Sequence, residues 1–127
     1  MKNRARISDS FRCAWEGLIH AWRSERNLQI HICAAGLVII AGLVLRIDVL
    51  RWAVLLLTIG AVISAELLNT SLELVIDALI QKPHPAAKAA KDVAAGAVLF
   101  VSIIAVVIGL LILLPALLQA VSMLLSR

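Results

Sequence analysis

Residues 52–80 read WAVLLLTIGAVISAELLNTSLELVIDALI, a run of near-continuous hydrocarbon broken by Glu66, Asn69, Glu73 and Asp77. In an α-helix each residue advances about 100° around the axis. Asn69 then lies roughly 60° to one side of Glu66, Glu73 roughly 20° to that side, and Asp77 roughly 20° to the other. Three carboxylates and an amide form one polar stripe on a helix otherwise suited to lipid. A charge near the bilayer centre costs about 2.5–3.5 kcal/mol on insertion scales, so intramembrane acids mark a functional site by default.

The rest of the composition agrees with a membrane setting. The 127 residues are 62% hydrophobic with a mean hydropathy of +1.01, against roughly 45–50% apolar in soluble chains. A soluble core of this size cannot bury that much, so lipid takes the remainder. Cys13 and Cys33 fit no metal spacing or disulfide framework. The mixed, charged first twenty-odd residues do not read as a secretory signal. The net charge of +4 lacks the soluble basic face and stacking groups that nucleic acid requires. Anionic headgroups and phosphorylated ligands are the expected counter-charges.

Working outward, the expectation is one all-α membrane domain over residues 1–127. Residues 1–27 form an amphipathic surface arm, with Phe11, Trp15, Leu18, Ile19 and Trp22 at three- and four-residue spacing among charges. The first span covers 28–45, the second 52–80, and the third 93–118, with a polar loop at 81–92 and Pro115 kinking or ending the last helix. Gly36 and Gly42 are candidates for close helix contact. Lys2, Arg4, Arg6, Arg12, Arg23, Arg26, Lys82, Lys88 and Lys91 fall on one side, and Arg46, Arg51 and Arg127 on the other. The positive-inside rule makes the first side cytoplasmic, which brings Glu25, Glu73, Asp77, Lys88 and Lys91 to the interface where nucleotides are found.

This arrangement suits phosphoryl transfer. One carboxylate can accept a proton from a lipid hydroxyl while another holds a hard cation, and most of the catalysis is positioning and charge neutralisation. Mg²⁺ typically takes one or two carboxylates together with phosphates and water. Glu66 with Asn69 is placed for the hydroxyl, and Glu73 with Glu25 for the cation. His84, Lys88 and Lys91 share a face if the chain is helical from Pro85, and point charges there suit polyphosphate. No glycine-rich phosphate loop is present. Two other readings remain: an ion-pair network holding subunits together, and a proton or cation path. A path needs polar groups through a whole span, and residues 52–63 and 98–118 offer almost none.

The residues also carry a resemblance. The run 65–77, AELLNTSLELVID, resembles the E-x-x-N-[ST]-x-x-E-x-x-x-D signature of the prokaryotic diacylglycerol kinase family. Residues 87–99, AKAAKDVAAGAVL, resemble its A-K-x-x-K-D-x-A-A-x-A-V-L segment, and Trp22, Glu25, Asn27 and His31 its W-x-x-E-x-N-x-x-x-H pattern. The similarity spans about residues 10–112, with all three motifs in order.

The resemblance implies a homotrimeric helical bundle, each subunit with a surface helix and three transmembrane helices, and with sites between subunits. It implies an ATP-dependent, Mg²⁺-dependent kinase of membrane lipid alcohols in the bacterial inner membrane. By matching position, Glu66 becomes the general base and Asn69 supports the reacting hydroxyl. Glu25 and Glu73 hold the Mg²⁺ that accompanies ATP, and His84, Lys91 and Asp92 contact the nucleotide. Trp22 stands on the lipid-substrate side, and Asp77 organises the site. Cys13 stands where some members have an aromatic near the nucleotide. Two branches share this core, diacylglycerol kinases and undecaprenol kinases. Asn27 with His31, and the run 84–88 (HPAAK), resemble the undecaprenol branch more.

Overall fold

The computed structural model describes residues 7–126, so Lys2, Arg4 and Arg6 of the expected arm, and Arg127, lie outside the described residues. Four helices follow one another: α1 (Ile7–Ser24), α2 (Arg26–Val44), α3 (Val49–Leu79) and α4 (Pro85–Leu125). α1 is the amphipathic arm, and its Phe11, Trp15 and Leu18 stay exposed rather than packing inward. The other three are long and apolar enough to cross a membrane. α3 packs mainly along α4, α2 joins α3, and α1 touches α2 and α3.

Little of this hydrocarbon is buried by protein. Leu57, Leu111 and Val106 are all more than half exposed, a surface that in water would drive association and in a bilayer is simply solvated. The small shared core lies at the end opposite the acids, where Ile47, Leu55 and Ala116 are buried against Trp52 and Ile112.

Each break between helices has a local cause. Glu25 is extended between α1 and α2, while the Gln29 side-chain amide donates to the Trp22 carbonyl at 2.9 Å across the elbow. At the α2–α3 turn Arg46 takes the left-handed conformation, φ 50°. Asp48 then caps α3, accepting from the Arg51 backbone N–H at 3.1 Å and pairing with its guanidinium at 3.0 Å. Gly42 leaves room for the neighbouring Trp52 ring, since an added Cβ would lie 2.9 Å from Cη2. Gly36 faces open space and makes no such contact.

Two expected boundaries are corrected. The polar loop placed at 81–92 is shorter, because α4 already begins at Pro85. His84 is its N-cap, with Nδ1 accepting from Ala86 N–H at 3.2 Å; Pro85 is pre-set for the first helical position, and the alanine-rich AAKAAK that follows is a strong helix former. At the other end Pro115 does not end the third span at 118: the helix runs through it to Leu125. A proline removes one N–H, which membrane helices tolerate, and the leucines and alanines beyond it favour continuation.

Candidate active site

On α3 the buried side chains Leu55, Val62, Glu66 and Asn69 share one face. That face turns toward the other spans because its residues recur at helical spacing. Glu66 is 1% exposed, as buried as any leucine of the chain. Behind it, the hydroxyl of Thr70, also buried, donates to the Glu66 carbonyl at 3.0 Å, which satisfies Thr70 within its own helix. Asn69 Nδ2 donates to Glu73 Oε1 at 2.9 Å. That bond fixes the direction of the amide and leaves Asn69 Oδ1 buried without a partner.

The charges around Glu66 are of both signs. Glu25, Glu73 and His31 are the ionisable groups that the Glu66 carboxyl senses, although Glu25 comes from the α1–α2 elbow and His31 from α2. Glu25 is half-buried, and its carboxylate makes no capping bond to α2. Among the described residues the ion pairs lie elsewhere, and neither Glu25, Glu66 nor Glu73 has a Lys or Arg partner. Carboxylates gathered at low dielectric without a countercharge are unfavourable alone and attract a hard cation. Among the described residues no three His, Cys, Asp or Glu side chains stand close enough to ligate a metal by themselves.

One turn beyond Glu73 the surroundings change sign. The α3–α4 corner encloses a cavity of about 640 Å³ lined by Asp77, Lys82, His84, Lys88 and Lys91, among others. Lys91 Nζ reaches Asp77 Oδ1 at 2.5 Å across the corner, and Lys88 Nζ pairs with Asp92 Oδ2 at 2.6 Å along α4. The stripe read from the sequence therefore divides: Glu66 and Asn69 are buried and Glu73 half-buried along α3, and Asp77 lines the cationic corner. Of the residues expected at a nucleotide, His84 and Lys91 line the corner and Asp92 does not. Trp22 is in neither group. It lines an apolar groove of about 270 Å³ with Trp15, Leu28, Ile63 and Leu67, where α1 meets the spans.

Sequence reasoning passed over two residues. Thr70 stood inside the quoted motif, but a hydroxyl that bonds its own helix gives no signal beyond the motif. Ser102 has a buried Oγ without a partner, and a lone serine in an apolar run announces nothing.

The model of the family described as prokaryotic diacylglycerol kinase matches residues 12–113. An undecaprenol kinase of Bacillus subtilis is 46% identical over 112 residues, 88% of this chain and 91% of that protein. A diacylglycerol kinase of Synechocystis is 47% identical over 111 residues, 87% of this chain, which spans 63% of that relative's length. A diacylglycerol kinase of Escherichia coli K12 is 30% identical over 94 residues, 74% of this chain and 77% of its own. The chain belongs to the prokaryotic diacylglycerol kinase family. It is a multi-pass membrane protein and a lipid kinase, with ATP as the phosphate donor that such a kinase implies.

Proposed function

We propose that the protein phosphorylates undecaprenol, giving undecaprenyl phosphate, at the cytoplasmic face of the bacterial inner membrane. The observation that carries the mechanism is the buried Glu66, with no Lys or Arg partner among the described residues, beside the oriented amide of Asn69. Glu66 accepts the proton of the lipid hydroxyl as its oxygen forms a bond to the γ-phosphorus, and the bond to the β-phosphate oxygen breaks to release ADP. Asn69 spends one Nδ2–H on Glu73 and has its second Nδ2–H to donate to the hydroxyl oxygen as that oxygen gives its proton to Glu66. A buried general base of this kind is worth about 10²–10⁴-fold in rate.

Glu25 and Glu73 would hold Mg²⁺, which supplies charge neutralisation on the triphosphate. The residues fit it: half-buried carboxylates without basic partners need ligands from the nucleotide and water to complete a shell. Lys91 and His84 meet the nucleotide from the corner, and Asp92 acts there through its hold on Lys88. Asp77 keeps Lys91 across the corner, and Trp22 meets the lipid under α1. The basic residues of α1, α2 and the α3–α4 corner support a cytoplasmic position for this side. A homotrimer, as the family resemblance implies, is part of the proposal; among the described residues the acids of one copy form no metal cluster by themselves.

Undecaprenol is favoured by the match along 91% of the Bacillus kinase. The Synechocystis diacylglycerol kinase, with comparable identity, keeps diacylglycerol as the second reading. Transfer of labelled phosphate from ATP to each lipid, side by side in one detergent, separates them. A clear preference for undecaprenol is expected, and a preference for diacylglycerol overturns the substrate assignment while leaving the chemistry.

A further inference from the structure

A base at Glu66 must be emptied after every turnover. The proton it takes from the lipid hydroxyl ends on a side chain that is 1% exposed and has no Lys or Arg partner among the described residues. A carboxyl so far out of contact with solvent needs a neighbouring group to carry the proton away.

His31 stands where such a group is needed. On α2 it falls between Leu28 and Ala35, three residues after the first and four before the second, and both of these are buried. The three share one stripe of the helix, and α2 packs along α3. His31 lines one cavity together with Val62 and Ile63, which lie four and three residues before Glu66 on α3. It is also among the groups that the Glu66 carboxyl senses. Toward the other side, His31 is five residues from Arg26, exposed at the head of α2, a rise of about 7.5 Å. The residue itself is half-buried, between the submerged acid and the elbow.

The other groups around Glu66 do not serve. Glu25 of the elbow and Glu73 of α3 are assigned to Mg²⁺, and a carboxylate on a divalent cation is a poor proton acceptor. From α4 the cavity beside His31 receives Ser102 and apolar residues such as Ala105 and Val106. From α1 the adjoining groove receives Trp15, Leu18, Ile19 and Trp22. None of those side chains takes up a proton near neutral pH, whereas an imidazole does.

We infer that His31 is the proton relay of the reaction, receiving from Glu66, directly or through one water, the proton taken from the lipid hydroxyl. The lipid O–H bond breaks as an O–H bond forms on the Glu66 carboxylate. That bond then breaks while an N–H bond forms on the neutral imidazole, which restores the carboxylate and leaves an imidazolium. The imidazolium gives its proton to solvent at the elbow, and both side chains are ready for the next lipid. The inference rests on the lipid-kinase reading and on Glu66 as its base.

The test compares the full-length protein with His31→Gln and His31→Ala in one detergent and on one lipid alcohol, by rapid-quench transfer of labelled phosphate and by steady-state kinetics. A relay acts after phosphoryl transfer, so its loss slows the return of Glu66 and not the first transfer. Both variants should form the first product per site at the unaltered rate, as a burst, and then turn over about tenfold or more slowly. kcat and the lipid KM should fall together, which leaves kcat/KM unchanged. A fall of kcat/KM in step with kcat overturns the inference, because a merely structural role would slow the first transfer as well. So does the lack of a burst in either variant, or an unaltered kcat. Glu66→Gln within tenfold of full activity would instead remove the base reading underneath, a result distinct from any outcome of the His31 variants.

Discussion

Replacing Glu66 by Gln separates chemistry from stability in one variant. The side chain is 1% exposed, and glutamine occupies nearly the same volume, so no cavity or clash follows. No Lys or Arg among the described residues pairs with the carboxylate. A charge deep in a span costs about 2.5–3.5 kcal/mol, so its removal should leave the protein at least as stable. Activity should move the other way. Loss of a general base lowers kcat by about 10²–10⁴-fold, or about 3–5 kcal/mol of transition-state stabilisation. The assay pairs turnover on the lipid alcohol with thermal unfolding in the same detergent. A variant within tenfold of full activity refutes the base assignment, and one that unfolds more readily by over 1 kcal/mol shows that Glu66 was holding the structure.

Other outcomes follow from the same geometry. Glu73→Gln keeps an amide oxygen for Asn69 to bond, so lipid KM should change little, while the Mg²⁺ requirement and the ATP KM should each rise about tenfold or more; a metal titration of initial rates decides, and equal loss toward lipid and ATP would make the residue structural. Gly42→Leu drives atoms into the Trp52 ring, which a Cβ alone would approach to 2.9 Å, and should cost about 1–3 kcal/mol. Combining it with Trp52→Ala should recover part of that loss in unfolding experiments, whereas strictly additive losses would deny the contact. At the α2–α3 turn the Arg51 backbone N–H, then its guanidinium, holds the Asp48 carboxyl below the usual carboxylate range. Its contribution is therefore complete above the unfolded value near 4 and is lost as pH falls through the lower folded value. Asp48→Asn should flatten the acid limb of thermal stability, and an unchanged limb would show the cap to be idle.

The spans, the arm and the acidic stripe were legible in the sequence because they rest on helical periodicity and on hydrocarbon length, both properties of contiguous residues. The cap of α4 was half legible. Pro85 and its alanines marked a helix start, but the charges at Lys88, Lys91 and Asp92 made the stretch look like a loop, although Lys88 and Asp92 simply form an i, i+4 pair along one helix. Pro115 misled in the opposite way, since in lipid the continuing run of leucine and alanine outweighs one missing N–H.

Contacts between helices were decided only by the tertiary structure. Lys91 pairs with Asp77, fourteen residues away on another helix, whereas Lys88 takes Asp92 on its own; the spacing of charges allowed several pairings. Glu25 stands at the break between α1 and α2, and its position relative to the α3 acids follows from how both helices pack on α3. A sequence fixes which face of each helix is polar, since that follows from 3.6 residues per turn. Which faces meet, and at what level, depends on axial register and rotation, set by packing among residues far apart in the chain.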